Sequence, residues 1–343
     1  MTTTEKIKEI KSRLGEDLLI LAHHYQKDEI VALADFVGDS LKLAQYAEKN
    51  KRAKYIVFCG VHFMAETADM LTEDDQLVFL PAQSAGCPMA DMADIAQAER
   101  AWEILTKEFD ESIIPITYIN SRADIKAFCG KHGGSSVTSG NAPKVMKWGF
   151  EQGKRILFLP DMHLGRNTAK EMGVPLENMA SYDRIKGTVD YVCPKEDVKL
   201  ILWNGYCHVH HAIKPEMVEN ARQLHPNAKI VVHPECPYEV TSISDGYGST
   251  EYLINVVKNA PSGSEFVIGT EGNLVKRVAR ENPDKKVYIL DNKSYCINMN
   301  KTTLENLLET LEEIEDGDFS RQITVSKSVT ENALVALKNM LSL

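Results

Sequence analysis

The chain has 343 residues, a formal net charge of −10, 43% hydrophobic and 26% charged residues, and seven cysteines. That length holds two or three domains with real cores, and the acidic balance excludes a broad nucleic-acid surface, which needs a basic face. No run reaches the ~18 apolar residues of a membrane span, and MTTTEKIKEIKSRLGEDL at the start lacks an apolar signal core, so the expectation is a cytoplasmic protein with no membrane partner.

In chain order, the first expected strand is LLILAH (18–23). Helical stretches follow at 28–37 and 40–49, then the strand YIVFCG (55–60), a helix at 62–71 and the strand QLVFLP (76–81). The next strand is IPITY (114–118), followed by a helix at 142–150 and the strands RILFLP (155–160) and KLILWN (199–204). The last third repeats the theme with KIVVH (229–233), a helix at 249–258, EFVIGT (265–270), a helix at 273–282 and KVYILD (286–291). Amphipathic helices at 302–316 and 329–343 close the chain and are expected to pack back beside the N-terminal helix. The strand runs are apolar on both faces, which suits buried parallel strands. Alternation with helices gives an α/β class built of βαβ units.

The nine runs form a threefold repeat. From the end of the first run to the start of the second the steps are 32 (23 to 55), 37 (118 to 155) and 32 (233 to 265). Between the starts of the second and third runs they are 21 (55 to 76), 44 (155 to 199) and 21 (265 to 286), so the middle unit is the outlier. Each third run leads into a cysteine: Cys87, Cys207 or Cys296. Three equivalent thiolates brought to one point would make a metal or iron–sulfur site with an open coordination position. Ligands from three distant segments, with no CxxC, fit a cluster at a junction better than a zinc ribbon or ferredoxin. Cys59, Cys129, Cys193 and Cys236 have no counterparts in the other units and read as small buried hydrophobes.

Ligands of parallel sheets bind beyond the carboxyl ends of the strands. The first runs end at His23-His24-Tyr25, Tyr118-Ile119-Asn120 and His233-Pro234-Glu235. His23 and His233 occupy equivalent ends, and Tyr25 and Glu235 stand two residues beyond them, on the same face of an extended chain, as proton carriers. Ser40, Ser139, and Ser249 with Thr250, lie at three equivalent helix starts, where free amides bind carboxylate or phosphate. The implied ligand is small and multiply anionic. His208, His210 and His211 follow Cys207, but HxHH with no acidic neighbour is a weak zinc signature. A zinc-dependent hydrolase or lyase and a non-enzymatic iron–sulfur sensor are the competing classes.

Taken together, LAHHYQ (21–26), GDSLKLA (38–44), FCGVHFMAETA (58–68), ITYINS (116–121), VTSGNA (137–142), FLPDMHLG (158–165), WNGYCHVH (203–210), VVHPEC (231–236), GYGSTEYLI (246–254) and CINM (296–299) resemble the quinolinate synthase family, the A proteins of bacterial de novo NAD synthesis. The resemblance implies three pseudo-symmetric αβα domains with small parallel sheets around a central [4Fe–4S] cluster, divided as 1–92 with 300–343, 93–209, and 210–299. It implies condensation of iminoaspartate with dihydroxyacetone phosphate to quinolinate. Carried over by motif, Cys87, Cys207 and Cys296 would hold the cluster. His23, Tyr25, Tyr118, Asn120, His233 and Glu235 would line the cavity, and Ser40, Ser139, Ser249 and Thr250 would hold the anionic groups. Hand-over of iminoaspartate by an aspartate oxidase is left open. The chain departs from the compact members in a longer loop before Thr138 and a longer segment at about 166–197, expected on the surface and away from the cavity. It also lacks a CxxCxxC around Cys296, which gives no support to a redox switch of that kind.

Overall fold

A computed structural model describes residues 1–109, 113–153 and 155–343. Its strands are β1 (Leu18–His23), β2 (Phe36–Gly38), β3 (Tyr55–Cys59), β4 (Leu77–Phe79), β5 (Ile113–Tyr118), β6 (Ser135–Val137), β7 (Arg155–Leu159), β8 (Met179–Asp183), β9 (Thr188–Asp190), β10 (Leu200–Trp203), β11 (Lys229–Val232), β12 (Gly246–Tyr247), β13 (Glu265–Gly269), β14 (Lys286–Ile289) and β15 (Gln322–Ile323). They form three sheets, in the orders β2-β1-β3-β4-β15, β6-β5-β7-β10-β8-β9 and β12-β11-β13-β14. The fold is α/β, and each sheet contains four parallel strands in the same order: a short strand, then the three apolar runs of the sequence repeat. No helix among the described residues is long and apolar enough to cross a membrane.

Most of the runs are strands with both faces covered; β14, at the edge of its sheet, is only half-buried. All six residues of β1 are buried, between a cluster with Leu43, Phe58 and Met64 on one face and one with Ile7, Ile30 and Leu311 on the other. Burying an aliphatic side chain of this kind contributes roughly 1.5–3 kcal/mol.

Several sequence expectations are corrected. The helix expected over 28–37 ends after one turn at Val31, because the chain must turn back into β2. Asp35 makes that turn: its amide donates to Ile20 O at 2.8 Å, and its carboxylate accepts from Ile20 N at 2.7 Å. Asp245 repeats both bonds with Ile230, at 2.8 and 2.7 Å, ahead of β12. Two sheets carry strands beyond the four parallel ones they share. β15 adds an antiparallel strand beside β4, and the 166–197 segment is not simply surface. Its β8 pairs in parallel with β10 and buries Met179, Ala180 and Tyr182, so only part of it is exposed.

The tail divides. The Leu304–Asp316 helix packs beside Thr3–Leu14 as expected, with Leu307, Leu311 and Ile314 against Ile7 and Ile10. The Lys327–Ser342 helix instead lies on the second sheet, against the Ala123–Lys131 helix and β6. Their approach is so close that a Cβ on Gly130 would stand 1.9 Å from the Asn332 carbonyl oxygen. Gly130→Ala is therefore expected to lower stability by about 1–3 kcal/mol, the cost of overpacking, which outweighs the ~0.5–1 kcal/mol gained in helix propensity. Chemical denaturation of the two proteins reads the difference.

Candidate active site

The carboxyl ends of the parallel strands of all three sheets face one cavity. Cys87, Cys207 and Cys296 line it, as do His23, Tyr25, Ser40, Tyr118, Asn120, Ser139, His233, Glu235 and Thr250. Ser249 is not among the lining residues; its Oγ caps the Thr250–Lys258 helix by accepting from Tyr252 N at 3.3 Å. Ser40 is not the cap of its own helix. Asp39 takes that role, accepting from Lys42 N at 3.0 Å.

The three cysteines sit in matching backbone settings. The carbonyl two residues before each accepts from the first amide of the helix after the second run. The bonds are His62 N to Ala85 O at 2.8 Å, Met162 N to Gly205 O at 2.9 Å, and Gly272 N to Ser294 O at 2.6 Å. After each cysteine the chain makes a helical turn, with Asp91 N, His211 N and Asn300 N donating to the cysteine carbonyls at 3.1, 2.9 and 3.1 Å. The amide three residues on (Ala90, His210, Met299) donates to the sulfur. Two buried carboxylates add support that the sequence analysis left without a role. Asp161 accepts from Cys207 N at 3.1 Å and Glu271 from Cys296 N at 3.4 Å, while each also caps the helix that follows it.

Burial pushes the Cys87 thiol up to about 12 and raises those of Cys207 and Cys296. Activated nucleophilic cysteines are shifted the other way. Thiols that resist ionisation on their own, yet have amides aimed at sulfur, are suited to a cationic partner whose binding expels the proton. Among the described residues the three sulfurs do not converge within 4.8 Å, whereas Cys207, His210 and Glu235 ligand atoms do. Spread sulfurs fit a multi-iron cluster, in which each thiolate takes a different iron, better than a single ion.

Beside the thiols runs a hydrogen-bonded chain. Glu235 Oε2 lies 2.7 Å from His210 Nδ1, His210 Nε2 lies 3.0 Å from Thr270 Oγ1, and Thr270 Oγ1 lies 3.0 Å from the Tyr25 hydroxyl. The Tyr25 hydroxyl also lies 3.3 Å from Thr250 Oγ1. An ionised carboxylate only accepts, so Nδ1 donates to Glu235; with a neutral imidazole, Nε2 accepts from Thr270 and Thr270 accepts from Tyr25. His233 stacks on His210 at 4.5 Å, and His23 meets Tyr25 edge-on at 4.6 Å. Burial alone would raise the Glu235 carboxyl. The neighbouring His210 and His233 rings, with hydrogen bonds from His210 and Tyr118, outweigh it and hold the group below the usual carboxylate range. Burial, followed by the Glu235 charge, raises Tyr25 and Tyr118 well above 10, so both keep their protons at neutral pH. Burial lowers His233 to about 3, so it is a neutral imidazole. His210 was passed over in the sequence because its acid partner comes from another sheet. The signal that could have found it is its place three residues after Cys207, matching Ala90 and Met299.

Each loop that carries these groups is clamped by the neighbouring sheet. The His62–Leu71 helix presents Glu66, whose carboxylate accepts from Ala123 N at 3.1 Å, just past Tyr118 and Asn120. The Met162–Glu171 helix presents Asn167, whose Nδ2 donates to Pro234 O and Cys236 O, both at 2.8 Å, on either side of Glu235. The Gly272–Glu281 helix closes the ring: Asn273 donates to Tyr25 O at 3.1 Å, and buried Arg277 donates to His24 O and to Gln26 O at 3.2 Å. Asn167→Leu would leave two carbonyls unpaired at about 1–3 kcal/mol each and let Glu235 move. Displacement of order 1 Å costs ~10²-fold in rate, so turnover is expected to fall by about that factor with the fold retained. Steady-state kinetics and circular dichroism of one preparation check both.

The family described as "Quinolinate synthetase A protein" matches residues 5–342 of the chain. Quinolinate synthases of Bacillus anthracis and Bacillus cereus are each 54% identical to it over 338 residues, covering 98% of the chain and 92% of the relative. That of Bacillus thuringiensis is 53% identical over the same lengths.

Proposed function

The chain belongs to the quinolinate synthetase A protein family, whose members are enzymes of NAD biosynthesis, and on that premise we propose that its cavity condenses iminoaspartate with dihydroxyacetone phosphate to quinolinate, releasing phosphate and water. A four-carbon and a three-carbon unit supply the seven carbons of a pyridine dicarboxylate. The observation that carries the proposal is the meeting of three equivalently held cysteines with the Glu235–His210–Thr270–Tyr25 chain in one cavity.

Cys87, Cys207 and Cys296 would hold a [4Fe–4S] cluster, which, having three protein thiolates, supplies one iron as a Lewis acid toward a substrate hydroxyl or carboxylate. The chain's own groups do the rest. Glu235, ionised and buried, takes a proton from the carbon that forms the new bond. The hydrogen bonds from Tyr25 through Thr270 and His210 end on Glu235 and keep its carboxylate ionised and aimed, and Tyr25, which keeps its own proton at neutral pH, is a separate donor toward the substrate. The Ser40, Ser139 and Thr250 hydroxyls hold carboxylate and phosphate oxygens. Asn120 lines the cavity with a buried Oδ1 that has no protein partner, free to accept from substrate N–H or O–H. Neutral His23 and His233 wall the site without adding charge that would trap an anionic product. Iminoaspartate hydrolyses readily, so an aspartate oxidase is its natural supplier.

Anaerobic incubation of the iron- and sulfide-reconstituted chain with both substrates, followed by chromatography, should yield quinolinate and phosphate in equal amounts. Absence of quinolinate from a preparation with full iron content would overturn the proposal.

A further inference from the structure

We propose that Cys207, His210 and Glu235 form a second metal site, exclusive of the cluster, that captures one Zn²⁺ whenever the cluster is absent. The ligand atoms already stand within 4.8 Å of one another, and His210 and Glu235 are only 1% and 3% exposed. One thiolate, one imidazole and one carboxylate, with a fourth position open to the cavity, is a donor set that suits tetrahedral zinc. By contrast, Cys87 and Cys296 do not join that trio among the described residues.

The surroundings are built for a ligand histidine. Such a histidine is oriented by a hydrogen bond at its far nitrogen, and His210 Nε2 already lies 3.0 Å from Thr270 Oγ1. On binding, Nδ1 gives its lone pair to zinc and its proton is lost. Nε2 takes up a proton and donates to Thr270, whose own O–H turns away. The Cys207 S–H bond breaks as the Zn–S bond forms, and Glu235 binds as the carboxylate it already is. The balance is one proton released to solvent per ion, with no redox change. The Glu235–His210 hydrogen bond gives way to two bonds to the ion, and the clamp from Asn167 keeps the Glu235 loop in place meanwhile.

The consequence is a competition. Zinc outranks ferrous iron at N, O and S donors, so zinc in the trio removes Cys207 from cluster assembly and occupies Glu235 at once. The effect on assembly rests on Cys207 being a cluster ligand, whereas the zinc site stands on its own geometry.

The test uses the full chain freed of cluster, titrated with Co²⁺ as a spectroscopic stand-in and with Zn²⁺ against a chromophoric chelator. One equivalent should bind, with the near-ultraviolet thiolate-to-cobalt band and the strong visible bands of a tetrahedral site. His210→Ala and Glu235→Gln should each weaken binding by about 100-fold or more, and Cys207→Ser should lose the thiolate band. Cys87→Ser and Cys296→Ser should bind as the parent does, which shows that loss elsewhere is not misfolding. Binding that survives His210→Ala and Glu235→Gln, or that falls in Cys87→Ser as it does in Cys207→Ser, would overturn the site. The quinolinate assay of reconstituted protein is independent of this titration, so failure of the functional proposal and failure of the zinc site are read separately.

Discussion

Cys207→Ser is expected to lose the brown cluster absorbance on anaerobic reconstitution and to reduce quinolinate formation by about 10³-fold or more. Cys87→Ser and Cys296→Ser should do the same. Serine keeps the shape but not the soft sulfur that iron–sulfur clusters take as ligand. A bound metal acting as Lewis acid supplies several kcal/mol of transition-state stabilisation, and each 1.36 kcal/mol is tenfold in rate. The comparison that gives the result meaning is with the other cysteines. Cys236 is fully buried only a few residues past His233, and its thiol is raised well above 9 first by burial and then by Glu235. Its sulfur nonetheless lies 3.9 Å from the Gly269 carbonyl and is not on the cavity wall. Cys59 and Cys129 are buried in separate core clusters, with burial pushing Cys59 up to about 12. Serine at Cys59, Cys129, Cys193 or Cys236 should leave iron content unchanged. If Cys236→Ser lost the cluster and Cys207→Ser kept it, the ligand assignment would be wrong.

That discrimination was legible in the sequence, because spacing separates residues that recur from residues that do not. The nine apolar runs were equally legible: most are strands buried on both faces, with few polar positions to blur them, and β14 kept its apolar run although it is only half-buried. What the sequence hid is what depends on partners from elsewhere in the chain. β2, β6 and β12 have two or three residues each, too few for a pattern, and Asp35 and Asp245 set two of them by side-chain bonds to the neighbouring strand. His210 looked like part of a histidine run with no acid near it, since Glu235 arrives from the third sheet. Asn167 and Arg277 bond to backbone carbonyls, which have no residue-type signature at all. The last helix is amphipathic like the one before it, and only Gly130, small enough for Asn332 to touch, marks where it docks. The repeat therefore predicts the cysteines and the strand ends, while the cyclic clamps that hold those ends at working distances are a property of the closed ring.

Glu235→Gln carries the other large expectation: turnover lower by about 10²–10⁴-fold, the usual worth of a positioned acid or base, with the cluster spectrum unchanged. The substitution keeps the volume and the hydrogen-bonding reach but removes the carboxylate that would hold the abstracted proton. It also disturbs the relay. The new side-chain amide nitrogen facing His210 Nδ1–H would set donor against donor, so the amide must turn its oxygen there or the imidazole must shift its proton to Nε2. The second choice sets Nε2–H against the Thr270 hydroxyl and reverses the direction of the chain to Tyr25. Because Glu235 is held below the usual carboxylate range, its protonation does not limit the parent near neutral pH, and Tyr25, raised well above 10, does not ionise there. The parent and the variant should therefore differ by a constant factor between about pH 6.5 and 8.5 rather than converge at either end. A merely structural role would instead show as lost iron or lower thermal stability with residual activity in proportion to folded protein. Normal turnover in Glu235→Gln with full iron content would remove Glu235 as the base and leave His210, with Tyr25 behind it, as the group that moves the proton.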